Sequence, residues 1–262
     1  MSRPTDVFTD IVAEGAALDA MVAELDAAQW AAGTPAPGWT VKHQIAHLTS
    51  MFDTARLAVA NPDRFAALTA DAERDYDGIV LALLTPHLTA PPAELLDRWQ
   101  AARENVVTVL AALPSDQIVP WFRPLRASVL GAIGIMELFA HGQDIADGVG
   151  APRAYTDRIG HLAWLATRNR DLGYRARGLV PPATEFRYEL TAPSGAAWEF
   201  GPADSDDRIT GPAVDFCLLA TRRRNRADLA LTAEGRQADQ WLDIAQVYLG
   251  LSGAGRLPVQ FG

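Results

Sequence analysis

The stretch Val129–Asp147, VLGAIGIMELFAHGQDIAD, decides how this chain folds. As far as Phe139 its only polar side chain is Glu137, and His141 follows one helical turn later. Glu137, His141 and Asp144 stand at i, i+4 and i+7, so on a helix they share one face. Ile133, Ile135, Met136, Leu138 and Phe139 make the remainder apolar nearly all round. A helix that is apolar on every side is buried on every side. The stretch therefore reads as an inner helix of a bundle, from about Ser128 to Asp147, with Glu137 buried. A lone buried carboxylate costs several kcal/mol unless something pairs with it.

Partners are available on a second helix. KHQIAHLTS, residues 42–50, carries His43 and His47 four residues apart. This helix is expected to start at Thr40, a suitable N-cap, and to run to about Ala60. Its apolar stripe is Val41, Ile45, Leu48, Phe52, Ala55 and Val59. His47 lies on the shoulder of that stripe and His43 lies further towards solvent, so His47 is the better inward candidate. His47, Glu137 and His141 then form a His₂Glu set, and three protein ligands leave a metal position open for catalysis. The same residues also fit a plain Glu–His pair that links two helices.

Around these segments the first two thirds of the chain read as helix. Apolar spacing predicts helices over Thr5–Trp30, in NPDRFAALTA, around Ile79–Leu84, from Pro91-Pro92 to about Leu113, and over Tyr155–Arg175. PSDQIVPWFRPLR reads as a loop. GLVPPAT then reads as a linker, and the texture changes. EFRYELTAP and AAWEFGP alternate and are bounded by Pro and Gly, as in a hairpin, with DRITG a candidate third strand and DLALT a short fourth. PAVDFCLLATRRR and GRQADQWLDIAQVYLG read as helices. The expected organisation is a helical domain over residues 1–176 and a small α+β domain over residues 177–262.

The chain has 262 residues, enough for two modest domains, and a net charge of −9. That charge argues against a general nucleic-acid binder or a binder of anionic membranes. No apolar run reaches the length of a membrane span, and MSRPTDVFTD lacks the apolar core of a secretion signal, so a cytoplasmic protein is expected. The single cysteine, Cys217, excludes an internal disulfide and a cysteine zinc cluster. Lys42 is the only lysine, and the other 22 of 23 basic residues are arginine, as a GC-rich genome would encode.

PGWTVKHQIAHL (37–48) resembles the N-terminal signature of the DinB-like, mycothiol-dependent maleylpyruvate isomerase superfamily. MELFAHGQDIAD (136–147) resembles its second signature, Glu-x-x-x-His-x-x-Asp. The resemblance covers about residues 1–175 and implies a four-helix bundle followed by a small α+β domain. It also implies a divalent metal, usually zinc, held by one His of the second helix and a Glu and His of the fourth: here His47, Glu137 and His141. Several members use mycothiol, the small thiol of actinobacteria, as co-substrate. Zinc with an open position suits a thiolate and lowers the thiol pKa.

Other residues have two readings each. TRRRNR (221–226) is either a solvated helix end, where cations complement the dipole, or an anion clamp. The resemblance implies an arginine in this part of the second domain, which makes Arg222 and Arg223 candidates for binding the thiol or substrate. Trp39 reads as an apolar staple at a helix start, and the resemblance places it near the site mouth. Asp144 is either an acceptor for a ligand imidazole or a helix-end residue. Cys217 reads as a core residue, and Asp26 and DAERDYD read as solvated faces. His87 and His161 read as packing or surface residues.

The expected function is a mycothiol-dependent metalloenzyme performing thiol transfer or thiol-assisted isomerisation on a small molecule, as a monomer or homodimer. The rivals are a metal-bearing carrier without turnover and a thiol-independent zinc hydrolase or lyase.

Overall fold

The computed structural model describes residues 6–250 and 253–260. The helix start expected at Thr5 and the first residues of MSRPTDVFTD lie outside them. Helix α1 (Val7–Ala23) is capped by Asp6, whose carboxylate accepts from Thr9 N at 3.2 Å. The helix expected to continue to Trp30 stops at Ala23. Asp26, read as a solvated acid, instead caps a separate turn, α2 (Ala27–Trp30). Its carboxylate accepts from Gln29 N at 2.8 Å while Gln29 Oε1 accepts from Asp26 N at 3.0 Å, which satisfies two otherwise unpaired donors.

The chain continues through α3 (Val41–Ala60), α4 (Pro62–Leu68), α5 (Tyr76–Leu84) and α6 (Pro92–Ala111). The segment expected to be only loop pairs β1 (Ile118–Val119) with β2 (Leu125–Arg126) in a minimal antiparallel ladder. Helix α7 (Ala127–Val149) then carries the deciding stretch and ends at Gly150, whose φ of 67° is the left-handed cap that glycine adopts without strain.

Helices α1, α3, α6 and α7 form the bundle: α3 packs on α6 and α7, and α1 packs on the same two. Ile11, Ile45, Leu48, Trp99 and Phe139 are buried between them. Each such side chain contributes roughly 1.5–3 kcal/mol on burial. Two buried ion pairs tie α1 to its neighbours, Arg103–Asp19 at 2.9 Å and Arg153–Glu14 at 3.0 Å.

The bundle unit is Thr5–Arg153, and a second unit begins at Ala154. The division therefore falls earlier than the expected 176/177. The reason is that the helix expected over Tyr155–Arg175 is broken into α8 (Gly160–Arg168) and α9 (Asp171–Arg175), which pack on elements of the second unit. That unit holds β3 (Arg187–Thr191), β4 (Ala197–Phe200), β5 (Arg208–Pro212), α10 (Ala213–Ala220), β6 (Thr232–Glu234) and α11 (Arg236–Ile244). The sheet order is β4-β3-β5-β6. β3 and β4 form the expected hairpin, with Leu190 opposite Trp198, and β5 runs parallel to β3. The strand expected in DLALT lies further on, at Thr232–Glu234, where it pairs with β5. Tyr188, Phe216 and Trp241 form the core under this sheet. The architecture is thus mainly helical, a four-helix bundle followed by a small α+β unit. Among the described residues no helix is long and apolar enough to cross a membrane.

Candidate metal centre

Helices α3 and α7 face each other, and their polar residues meet at one point. His47 Nε2 and His141 Nε2 each lie 3.1 Å from Glu137 Oε2. One ligand atom from each of the three residues falls within 4.8 Å of the others. The His47, Glu137 and His141 side chains are 7%, 12% and 13% exposed, so this is a nearly dry cluster. Burial pushes the Glu137 carboxyl up, but the hydrogen bonds and charge of the His141 and His47 rings, when these are protonated, more than offset it. The carboxyl is held well below the usual carboxylate range and is ionised.

A chain of hydrogen bonds fixes which way His141 presents its lone pair. Thr34 Oγ1 donates to Trp39 O at 3.0 Å, which uses its single proton. It can then only accept from Gln44, whose Nε2 lies 2.8 Å away. The Gln44 carbonyl oxygen must therefore point the other way, and it does, 2.5 Å from His141 Nδ1. His141 Nδ1 carries the proton and donates it. In the neutral ring Nε2 is left with a lone pair, directed at Glu137 Oε2, itself only an acceptor. His47 adds a further unsettled atom, because its Nδ1 is buried without a hydrogen-bond partner. Two acceptors aimed at each other repel unless a proton or a metal cation lies between them. This donor set, two imidazoles and a carboxylate, fits a divalent cation.

His43 is turned away from this centre. Its Nδ1 lies 3.3 Å from Thr40 N and 2.8 Å from Thr40 Oγ1, at the start of α3. Trp39 lies against the cluster. Its ring stacks on His141 at 5.9 Å and 21°, and lies 5.3 Å from the His47 ring. Gln44 supplies an acceptor to His141. Asp144 is fully buried three residues beyond His141.

Two residues were missed by sequence reasoning. Gln44 sits one turn before His47 on the same helix face, so its signal was positional and went unread. Tyr76 lies in a run taken for a solvated face, yet it is half-buried and packs edge-on against Phe122 at 5.1 Å. Burial, then the charges of Glu137 and Asp77, push its phenol well above its ordinary value, so the hydroxyl stays protonated and can donate.

In the second unit, Arg222 adopts a left-handed backbone at φ 60°, where α10 ends. It lines a polar hollow of about 140 Å³ together with Arg224, Asn225, Arg226 and Arg256. Its Nη2 donates to Gly253 O at 3.3 Å, and its Nε is buried without a partner. Arg223 donates to Thr221 O at 2.6 Å and does not line that hollow. Cys217 is fully buried, and burial pushes its thiol far up, so it stays protonated and inert.

The profile of the mycothiol maleylpyruvate isomerase N-terminal domain matches residues 11–146, which contain all three converging side chains. This chain belongs to that family. The profile for wyosine base formation matches residues 182–234, within the α+β unit. Uncharacterized proteins from two strains of Mycobacterium tuberculosis are each 41% identical over 257 residues, covering 98% of this chain and 100% of theirs. Two crystal structures of the mycothiol-dependent maleylpyruvate isomerase, one of them a mutant, share the fold. Their TM-scores are 0.58 and 0.56 at 15% and 14% identity, over 92% of this chain and 95% of theirs. The fold therefore extends across both units of the chain.

Proposed function

We propose that this chain is a metal- and mycothiol-dependent enzyme that performs thiol transfer or thiol-assisted isomerisation on a small-molecule substrate. The observation that carries the reading is the convergence of His47, Glu137 and His141, with the His141 lone pair aimed at the Glu137 carboxylate. A divalent ion, zinc in the first instance, would supply a Lewis-acidic position where an incoming thiol ionises.

The chain's own residues do the remainder. Gln44 holds the His141 tautomer, and Asp144 is assigned to supporting the ligand-bearing turn. Trp39 covers both imidazoles and offers a flat apolar face to the thiol or substrate. Tyr76 offers a phenol proton to charge that develops near Glu137. Cys217 is too buried to be a nucleophile, so the reacting thiol comes from outside the protein. Arg222 and Arg223 are assigned to gripping an anionic group of the substrate or thiol, since guanidinium matches carboxylate geometry.

The test is a thermal-shift and turnover screen of zinc-loaded, untagged protein against mycothiol and other small thiols. Mycothiol should stabilise the loaded protein and not the metal-free protein. Arg222→Ala with Arg223→Ala should retain the metal and weaken an anionic ligand roughly ten- to a hundredfold. Cys217→Ser should turn over as the parent does. Stabilisation by mycothiol without any turnover would make the protein a carrier, and turnover without thiol would make it a hydrolase or lyase.

A further inference from the structure

The bundle interior is not completely filled beside Glu137. Ile11 of α1, Met51 and Phe52 of α3, Leu110 of α6, Trp121 and Ile133 surround a hollow of about 30 Å³, and Glu137 lines it too. Gly134 also lines it, three residues before Glu137 and on the same face of α7.

Gly134 is where α7 gives up stability for space. A glycine inside a helix costs roughly 1 kcal/mol relative to alanine. For the other glycines of α7, packing explains that cost. A Cβ at Gly131 would come 2.9 Å from Val7 Cγ1, at Gly142 3.0 Å from Arg153 Nη2, and at Gly148 3.0 Å from the carbonyl oxygen of Gly33. At Gly134 it would meet Ile11 Cδ1 at 3.3 Å and Phe52 Cζ at 3.6 Å. The nearer atom is the end of a side chain that itself borders the hollow, so it can give way. Close packing therefore does not require glycine here, and an alanine would occupy the hollow.

The chemistry of the walls is one-sided. Among the described residues, Glu137 is the only ionisable one lining the hollow. A second carboxylate placed there would face the Glu137 charge with no cation in the lining to answer it. Apart from Glu137, an alkyl group would meet hydrocarbon, aromatic faces and the Met51 thioether, a flexible side chain that can reshape to fit.

We propose that this hollow receives a short apolar substituent, one to three carbons, of the electrophile on which the enzyme acts. The assignment of the occupant to the substrate rests on the metal-and-thiol reading; the hollow and its preference do not. The substrate class is accordingly a small electrophile with an alkyl arm beside the reacting carbon, and not one with a carboxylate in that position.

The test uses zinc-loaded, full-length protein and a series of metal-binding probes: aceto-, propiono- and butyrohydroxamate, and succinic monohydroxamate. Calorimetry should show binding tighten about fourfold for each of the first one or two methylenes, the transfer value of a buried CH₂. The succinic probe should bind more weakly than butyrohydroxamate. In protein labelled with ¹³C at its methionine methyls, the Met51 signal, identified with Met51→Leu, should move with the alkyl probes. Gly134→Ala should keep its zinc, melt no lower than wild type and lose the dependence on chain length. A flat series, a succinic probe as tight as the butyryl one, or an unchanged gradient in Gly134→Ala overturns the proposal. If the protein binds no zinc, the metal reading fails separately. The hollow is then tested in metal-free protein with 1-butanol, and a Met51 methyl that does not respond, or that responds equally in Gly134→Ala, overturns the proposal.

Discussion

Two buried carboxylates in the same bundle differ in the chemistry of the groups that answer them. Glu14 and Glu137 are almost equally buried, with side chains 10% and 12% exposed. Glu14 is answered by Arg153 Nη2 at 3.0 Å, and the same guanidinium donates to the carbonyl oxygens of Phe139 and Leu138 and lies 5.1 Å over the Phe139 ring. Guanidinium is always protonated and has donors only, so that pair is complete in itself. Glu137 is answered by two imidazoles, each with one nitrogen that can be a lone pair, and Gln44 commits His141 to presenting it. Burial is the same in both places. The partner's chemistry makes one a clamp between α1 and α7, and it is the ground on which we propose the other as a receptor for a cation.

The largest test of this contrast is metal content. Untagged wild-type protein should carry close to one divalent ion per chain, and Glu137→Ala or His141→Ala should bring elemental analysis down to background. Full occupancy in both variants would end the distinction. Next in size, Arg153→Ala strands a buried charge and should cost about 3–5 kcal/mol in denaturant unfolding, while the folded protein keeps its metal. A loss below about 1 kcal/mol would mean that Glu14 is not held as described.

Gln44→Ala should lower metal affinity about ten- to a hundredfold with little change in stability, and Gln44→Glu, which keeps an acceptor, should recover most of it. Equal affinity in the alanine variant and wild type would remove the role of the Thr34–Gln44 chain. The smallest effect is expected at His43, which is occupied at the start of α3. His43→Ala should leave the metal in place and cost about 0.5–1 kcal/mol, the usual range for a lost helix cap.

Much of this was written along the chain. Local periodicity placed α3 and α7, because a buried helix must carry its apolar residues at fixed spacing whatever it packs against. It also put Glu137 and His141 on one face, and it favoured His47 over His43. The hairpin β3–β4 was equally legible from alternation and its bounding Pro and Gly. Tertiary structure alone decided the rest. The helix read over Tyr155–Arg175 breaks into α8 and α9, because packing against the α+β unit outweighs local propensity. Tyr76 looked solvated because a short acidic run shows nothing of the aromatic cluster that covers it. The acceptor that meets His141 Nδ1 is Gln44, 97 residues away in sequence. Spacing along one helix fixes which side chains share a face, whereas a hydrogen-bond direction depends on groups that only the packed bundle brings together.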